Sequence, residues 1–303
     1  MLVGEINMET NKRVLLTGVT GLVGKEVIKP LQDMGYEISA LTIDENNPNN
    51  GVNWIKCNLF DNDSVKQAVE QVKPTHLLNF AWATTGNYLV SDINLEFVKA
   101  GLNLLKHFKA NGGKRAVFVG TCFEYLFKDE PLKETDPTNP QTLYAVCKDA
   151  LHRMAEEYCK INDISFGYGR IFYVYGHGEN EKRLTAHLIK TLSNNETVTI
   201  NCGRLIKDYM YTKDIAGGFA AFLNSNVEGT VNMCTGNGIS LEDYSRFIAR
   251  KLGKEEYLVI KQEETTQPPI IVGDNTRLTK EVGYKIQYSL EQAIDEILKF
   301  MNK

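Results

Sequence analysis

Lys12-Arg-Val-Leu-Leu-Thr17-Gly18-Val-Thr20-Gly21-Leu22-Val23-Gly24 is the stretch on which the fold turns. Lys12 to Leu16 reads as a short apolar strand. Val23 to Met34 carries helical periodicity, so the glycines between form a strand-to-helix turn. Glycine at 18 permits a tight turn, glycine at 21 lets backbone approach a pyrophosphate, and glycine at 24 lets helix and strand pack closely. A glycine triplet alone also suits an ordinary βα turn. The strand before it and the helix after it, near the N-terminus, favour a dinucleotide site built from Gly18, Thr20, Gly21, Leu22, Val23 and Gly24.

Outward from this turn the rhythm repeats. Strands are expected at Tyr36 to Ile43, Asn53 to Cys57, His76 to Phe80, Ala116 to Thr121 and Ser165 to Phe172. Helices are expected at Asp63 to Val72, Asp92 to Ala110 and Thr142 to Asn162. The strands are almost wholly apolar, as when both faces of a parallel sheet are covered. The expected class is α/β, a Rossmann-type doubly wound parallel sheet with a smaller C-terminal α+β substrate domain. Residues 1–11 read as a loose extension and 12–175 as the dinucleotide-binding domain, with 208–228 packing back on it. The segments 176–207 and 229–303 are left for the second domain, where short strands mix with helices.

Bulk properties narrow the classes. The chain has 303 residues, 43% hydrophobic and 24% charged, with a net charge of −4. That balance and the lack of a dense Lys/Arg stretch argue against a nucleic-acid groove. The longest apolar runs fall short of a membrane span, and Met1 to Asn11 lacks the pattern of a signal peptide. Six scattered cysteines with no CxxC spacing argue against a metal site or disulfide framework and for a reducing, cytoplasmic setting.

Tyr144 precedes Lys148 by four residues, so the two share a helix face. An ammonium beside a phenol lowers the phenol's pKa, which suits proton transfer during hydride chemistry at a carbonyl. The same spacing occurs at Tyr209 with Lys213 and at Tyr257 with Lys261. The first of these falls at a strand-to-helix junction and the second on a β-like run, where such residues lie ~13 Å apart. Both read as structural. Thr121, at the end of a strand, reads on its own as a threonine bonding its own backbone.

GxxGxxG followed by YxxxK resembles the extended short-chain dehydrogenase/reductase superfamily, in the branch that acts on nucleotide sugars. The resemblance covers nearly the whole chain. Cys57-Asn58-Leu59 is similar to the family's Gly-Asp-Leu at adenine, and Phe80-Ala81-Trp82-Ala83 to its Leu-Ala-Ala beside the cofactor. Arg170-Ile171-Phe-Tyr173-Val-Tyr-Gly176 resembles Arg-x-x-Asn-x-Tyr-Gly, and Lys207-Asp208 begins a segment like the family's Arg-Asp-x-x-x-x-x-Asp. The resemblance implies catalysis by Thr121, Tyr144 and Lys148, with Lys148 also on the nicotinamide ribose. It implies a homodimer through the helices Asp92 to Ala110 and Thr142 to Asn162.

The departures from that pattern are informative. Cys122 and Phe123 stand where dehydratases of the family carry Asp and Glu, so the acid and base for water elimination are missing. Glu124 reads as a displaced polar neighbour. Tyr173 replaces an asparagine and Lys207 an arginine at the sugar diphosphate; lysine keeps the charge and loses the bidentate fork. Substrate contacts are expected from Thr121, Cys122, Phe123, Tyr173 and Lys207. Arg183 is a further candidate contact, equally readable as a solvated charge at a helix start. At the end of the second strand Thr42 occupies the place of the acid that holds the ribose of NAD. That favours NADP, with NAD as the alternative. The expected activity is reduction of the 4-keto group of a nucleoside-diphospho-6-deoxyhexulose. An epimerase with retained NAD, or a non-catalytic dinucleotide sensor on the same fold, are the other readings.

Overall fold

The computed structural model describes residues 12–45 and 47–301. The expected loose extension at 1–11 lies outside the described residues. Five strands open the chain: β1 (Arg13–Thr17), β2 (Glu37–Thr42), β3 (Asn53–Lys56), β4 (His76–Asn79) and β5 (Arg115–Thr121). Next come β6 (Ser165–Ile171), β7 (Tyr173–Tyr175), β8 (Val198–Ile200), β9 (Ile206–Lys207), β10 (Tyr209–Tyr211) and β11 (Gly229–Met233). The short strands β12 (Ile239–Ser240), β13 (Leu258–Ile260) and β14 (Ile270–Ile271) complete the set. Seven of these form one sheet in the order β3-β2-β1-β4-β5-β6-β11, and every pairing in it is parallel. The order reverses between β1 and β4. In such sheets ligands sit at that crevice, beyond the carboxyl ends of the strands.

Helices cover both faces. A 3₁₀ turn at Gly24–Val27 leads into α1 (Ile28–Asp33), where one continuous helix was expected. Pro30 explains the break. It has no N–H to give the Glu26 carbonyl, and its ring crowds that turn. One face buries Leu16, Val27 and Leu31 against α6 (Thr212–Asn224), through Phe219 and Phe222. The other buries Leu15 and Leu77 under α2 (Asn62–Val72), α3 (Ile93–Ala110) and α4 (Leu143–Ile161). Caps set the helix starts. The Asp61 carboxylate accepts from the amides of Asp63 and Ser64, and the Thr142 hydroxyl accepts from Ala145 at 3.2 Å.

A second unit gathers α5 (Leu184–Ser193), α7 (Leu241–Leu252) and α8 (Leu290–Met301) around Leu188, Tyr244 and Ile294. Its sheets are small: β7 with β10, β8 with β13, and β9 between β12 and β14. One boundary needs correction. Gly229–Met233, assigned to the second domain because the chain's rhythm breaks after Gly176, pairs with β6 as the outer strand of the large sheet. The preceding helix α6 lies on that sheet and returns the chain to its edge. Among the described residues no helix is long and apolar enough to cross a membrane.

Candidate active site

A cavity of about 670 Å³ opens beyond the carboxyl ends of the sheet strands and runs to the second unit. Gly18, Thr20, Gly21, Leu22, Val23 and Gly24 line it, as do Thr42, Asn58 and Leu59. Phe80, Ala81 and Trp82 enter from the loop after β4. Thr121, Tyr144, Lys148 and Ile171 meet there with Phe123, Tyr173 and Arg183. One continuous space thus holds nearly every residue expected at the cofactor, the reacting centre and the substrate.

The glycine turn fits a dinucleotide by what its missing side chains leave open. Gly18 has φ +67°, and a Cβ there would lie 2.6 Å from the Ala81 amide nitrogen. A Cβ on Gly24 would lie 2.2 Å from the Gly18 carbonyl oxygen. Both positions therefore need glycine for the fold itself. A Cβ on Gly21 meets only the Gly18 carbonyl, at 3.1 Å, so it would occupy cavity space instead. The Thr17 hydroxyl binds the turn to the next strand: it donates to Asn79 Oδ1 at 2.5 Å and accepts from the Ala81 amide at 3.1 Å.

Thr121 ends β5, and Tyr144 stands in the first turn of α4. The Tyr144 amide donates to the Leu89 carbonyl at 3.1 Å, which ties the loop before α3 to this helix. The phenol is buried, and burial pushes its pKa well up, with Tyr88 adding to the rise and a hydrogen bond with the Thr121 side chain opposing it. Lys148 lies one turn further. Its ammonium donates to the Val119 carbonyl at 2.7 Å and sits 4.0 Å from the centre of the Trp82 ring. Burial lowers it to about 7, against the support of Glu124. The expectation that Lys148 depresses the Tyr144 pKa is therefore corrected. The ammonium is 6.0 Å from the Tyr144 ring centre and is engaged elsewhere, so burial decides and the phenol stays protonated.

Two expected substrate contacts do not reach the cavity. Cys122 begins a 3₁₀ turn that sends Phe123 into the cavity and Cys122 the other way, into a small core with Leu132, Phe172 and Cys234. Lys207 is buried and donates to the Pro268 carbonyl at 3.1 Å, with its ammonium over the Tyr173 ring. A cation already held this way does not face a diphosphate. Of the other two YxxxK pairs, Lys213 binds Glu296 at 2.6 Å and Lys261 binds Glu263 at 3.3 Å, so neither lysine serves its tyrosine.

Other wall residues were not singled out in the sequence. Tyr88 packs edge-on to Tyr144 with ring centres 5.1 Å apart. Tyr209, set aside with its lysine, reaches the cavity while stacked on Tyr244 at 4.3 Å. Glu179 also lines the cavity; burial raises its carboxyl to about 7, and Arg183 opposes the rise. Only the Glu179-to-Leu184 stretch signalled this region, and its arginine drew the attention. Glu124, read as a polar neighbour, is wholly buried and accepts from Arg170 Nε at 2.8 Å.

A family model for the NAD dependent epimerase/dehydratase family matches residues 14–234. The chain belongs to that family. It is an enzyme of the extended short-chain dehydrogenase/reductase type, in a family described as NAD dependent and in the branch whose members modify nucleotide sugars. CDP-abequose synthase of Salmonella typhimurium is 25% identical over 305 residues, covering 94% of this chain and 97% of that protein. UDP-glucose 4-epimerase of Thermotoga maritima shares the fold with a TM-score of 0.85 at 19% identity, over 96% of this enzyme and all of that chain. UDP-glucose 4-epimerase of Thermus thermophilus, solved with NAD, superposes with a TM-score of 0.81 at 23% identity, over 96% and 99% of the two chains. The match to these two solved structures over nearly the whole chain is a match of fold.

Proposed function

We propose that the enzyme reduces the 4-keto group of a nucleoside-diphospho-6-deoxyhexulose, with NADP as its preferred cofactor. The observation that carries the reading is the meeting of Thr121, Tyr144 and Lys148 on one cavity wall, with the Tyr144 phenol in hydrogen-bond reach of the Thr121 side chain. A bound reduced nicotinamide supplies hydride to C4. As charge builds on the carbonyl oxygen, Thr121 donates a hydrogen bond to it and Tyr144 gives up its proton. Lys148, one turn along α4 on the same cavity wall, would hold the nicotinamide ribose hydroxyls.

Elimination is disfavoured by the residues present. Phe123 is apolar and Cys122 is turned into the core, where burial raises its thiol to about 12. The extent of the match with CDP-abequose synthase supports a deoxysugar nucleotide as substrate. Phe123, Tyr173 and Arg183 are positioned to flank it. Thr42 supports NADP, since an acid at that position would repel a 2′-phosphate. Leu95 on α3 and Val146, Met154 and Ile161 on α4 are exposed apolar residues that suit pairing of these helices in a homodimer. Six cysteines without disulfides suit the cytoplasm.

The test is to offer NADPH and NADH with 4-keto-6-deoxy sugar nucleotides of each base and follow loss of reduced nicotinamide. Stoichiometric oxidation with one of them supports the proposal. Nicotinamide that co-purifies tightly, with a sugar nucleotide inverted and no net oxidation, replaces it with an epimerase.

A further inference from the structure

The carboxyl group of Glu124 lies behind the catalytic residues and touches Thr121 and a support of Lys148. Its Oε1 accepts from the Thr121 amide at 2.8 Å and from the Tyr168 hydroxyl at 2.9 Å. The same Tyr168 hydroxyl lies 3.1 Å from the Lys148 carbonyl oxygen. Its Oε2 accepts from Arg170 Nε at 2.8 Å. Glu124 thus links the end of β5 to the middle of β6, and shares the single Tyr168 hydroxyl hydrogen with the Lys148 carbonyl of α4. Gly120 makes the arrangement possible. A Cβ there would fall 2.2 Å from the Tyr168 ring and 2.7 Å from Glu124 Oε1.

The charge matters as well as the hydrogen bonds. Lys148 is buried with a carbonyl and an indole face as its neighbours, and burial favours its neutral form. Glu124 is the anion that opposes this. Burial acts on Glu124 too, pushing its carboxyl up, while the Arg170 guanidinium and the Thr121 and Tyr168 donors oppose that rise. Asp149 and His152 face it from α4, with ligating atoms within 4.8 Å. His152 is lowered to about 3 by burial and by Arg170 and Arg153, so it stays neutral near neutral pH. Asp149 is bound by Arg153 at 2.9 Å. Tyr125, Cys122 and Tyr144, the remaining titratable neighbours, have pKa values raised by burial and remain protonated.

We propose that Glu124 is a positioning residue of the active site: through its hydrogen bonds it orients Thr121 and, by way of Tyr168, the Lys148 turn, and it sets a buried carboxyl group behind that turn. The inference rests on the role given above to Thr121, Tyr144 and Lys148, and it assigns a function to a residue that does not touch the cavity. A buried ion pair serving only as a staple for the fold would hold Thr121 no better than any other strand-end residue. It would also leave the titration of Lys148 alone.

The experiment separates these. Full-length protein carrying carbon-13 at lysine Cε is titrated by NMR, with the Lys148 signal assigned from its loss in Lys148→Met. In Glu124→Gln the carboxamide still accepts hydrogen bonds while the charge is gone. The Lys148 midpoint is expected to fall by about one unit, making the amine about tenfold easier to deprotonate. The basic limb of the rate profile should move with it, so that turnover lost at neutral pH returns on acidification. Tyr168→Phe keeps the charge and removes the tie to Lys148; turnover should drop roughly threefold to tenfold with the midpoint unchanged. A folded Glu124→Gln with an unmoved Lys148 midpoint, or Tyr168→Phe with unchanged turnover, overturns the proposal. If Glu124→Gln fails to fold, Glu124→Gln with Arg170→Gln removes both buried charges, and the Lys148 midpoint must still fall, by less because a cation has gone as well. The Lys148 titration needs no substrate. A shifted midpoint in an enzyme that reduces no 4-keto sugar would therefore condemn the proposed reaction and leave the role of Glu124 standing.

Discussion

The Lys148 ammonium lies 4.0 Å from the centre of the Trp82 indole ring and 2.7 Å from the Val119 carbonyl oxygen. A cation held by a ring face and a single carbonyl has lost most of its hydration, and this sets its chemistry. It is lowered to about 7 from an ordinary value of 10.5.

The consequence for stability has a definite sign. Below about pH 7 both folded and unfolded chains carry the proton, so the cost of burying the charge is present in full. Between about 7 and 10.5 the folded amine is neutral while the unfolded one is still charged, and stability rises with pH. Lys148→Met should therefore be more stable than the parent at pH 6, by on the order of 2–4 kcal/mol, and should lose that advantage by pH 10. Thermal melts at the two pH values check it. An equal advantage at both would mean that packing, rather than charge, is responsible.

The three glycines of the turn should separate into two kinds. Gly18→Ala and Gly24→Ala force a methyl onto backbone atoms and should each destabilise the protein by roughly 1–3 kcal/mol or more, along with any loss of binding. Gly21→Ala brings its methyl to 3.1 Å from the Gly18 carbonyl, a far milder contact, and otherwise meets cavity space. It should melt within a degree or two of the parent while dinucleotide affinity falls at least about tenfold. Melting curves beside calorimetric titration with NADPH distinguish the two. A Gly21→Ala protein that binds normally would move the pyrophosphate away from this turn.

Thr42 should control cofactor choice. Thr42→Asp places a carboxylate at the end of β2, which favours the two free ribose hydroxyls of NAD and repels a 2′-phosphate. NADPH affinity should fall by about tenfold or more, and NADH affinity should hold or improve. Dissociation constants for both cofactors on both proteins check this. An unaltered ratio would place the 2′ position elsewhere.

These outcomes bear on what the residues disclosed before folding. The glycine turn and the Thr121, Tyr144 and Lys148 set were legible because their spacing follows from one strand end and one helix face. Strand membership was harder. Gly229–Met233 is short and follows a stretch of mixed elements, and only its pairing with β6, some sixty residues earlier, puts it in the large sheet. The fates of Cys122 and Lys207 were illegible for a related reason. Which way a side chain leaves a single 3₁₀ turn, and whether a lysine finds the Pro268 carbonyl, depend on tertiary neighbours. The pKa of Tyr144 was misjudged because the pair was weighed by charge alone, without the burial that Trp82 and Tyr88 impose. The break at Pro30 was written in the chain and could have been read there.

Tyr144→Phe removes the proton donor and little else, since the ring keeps its packing against Tyr88 and Trp82. Turnover should fall by about 10²–10⁴ while NADPH binding stays within a few-fold of the parent. Steady-state rates beside cofactor titration check it. Activity that survives the substitution would mean that another group delivers the proton.

The most direct measurement uses NADPH deuterated at the transferable position of the nicotinamide, with a 4-keto-6-deoxy sugar nucleotide, and reads the product by NMR. The account predicts deuterium at sugar C4 in proportion to the cofactor oxidised, with the signal absent for Tyr144→Phe. An inverted sugar carrying no deuterium, with the added NADPH intact, would contradict it.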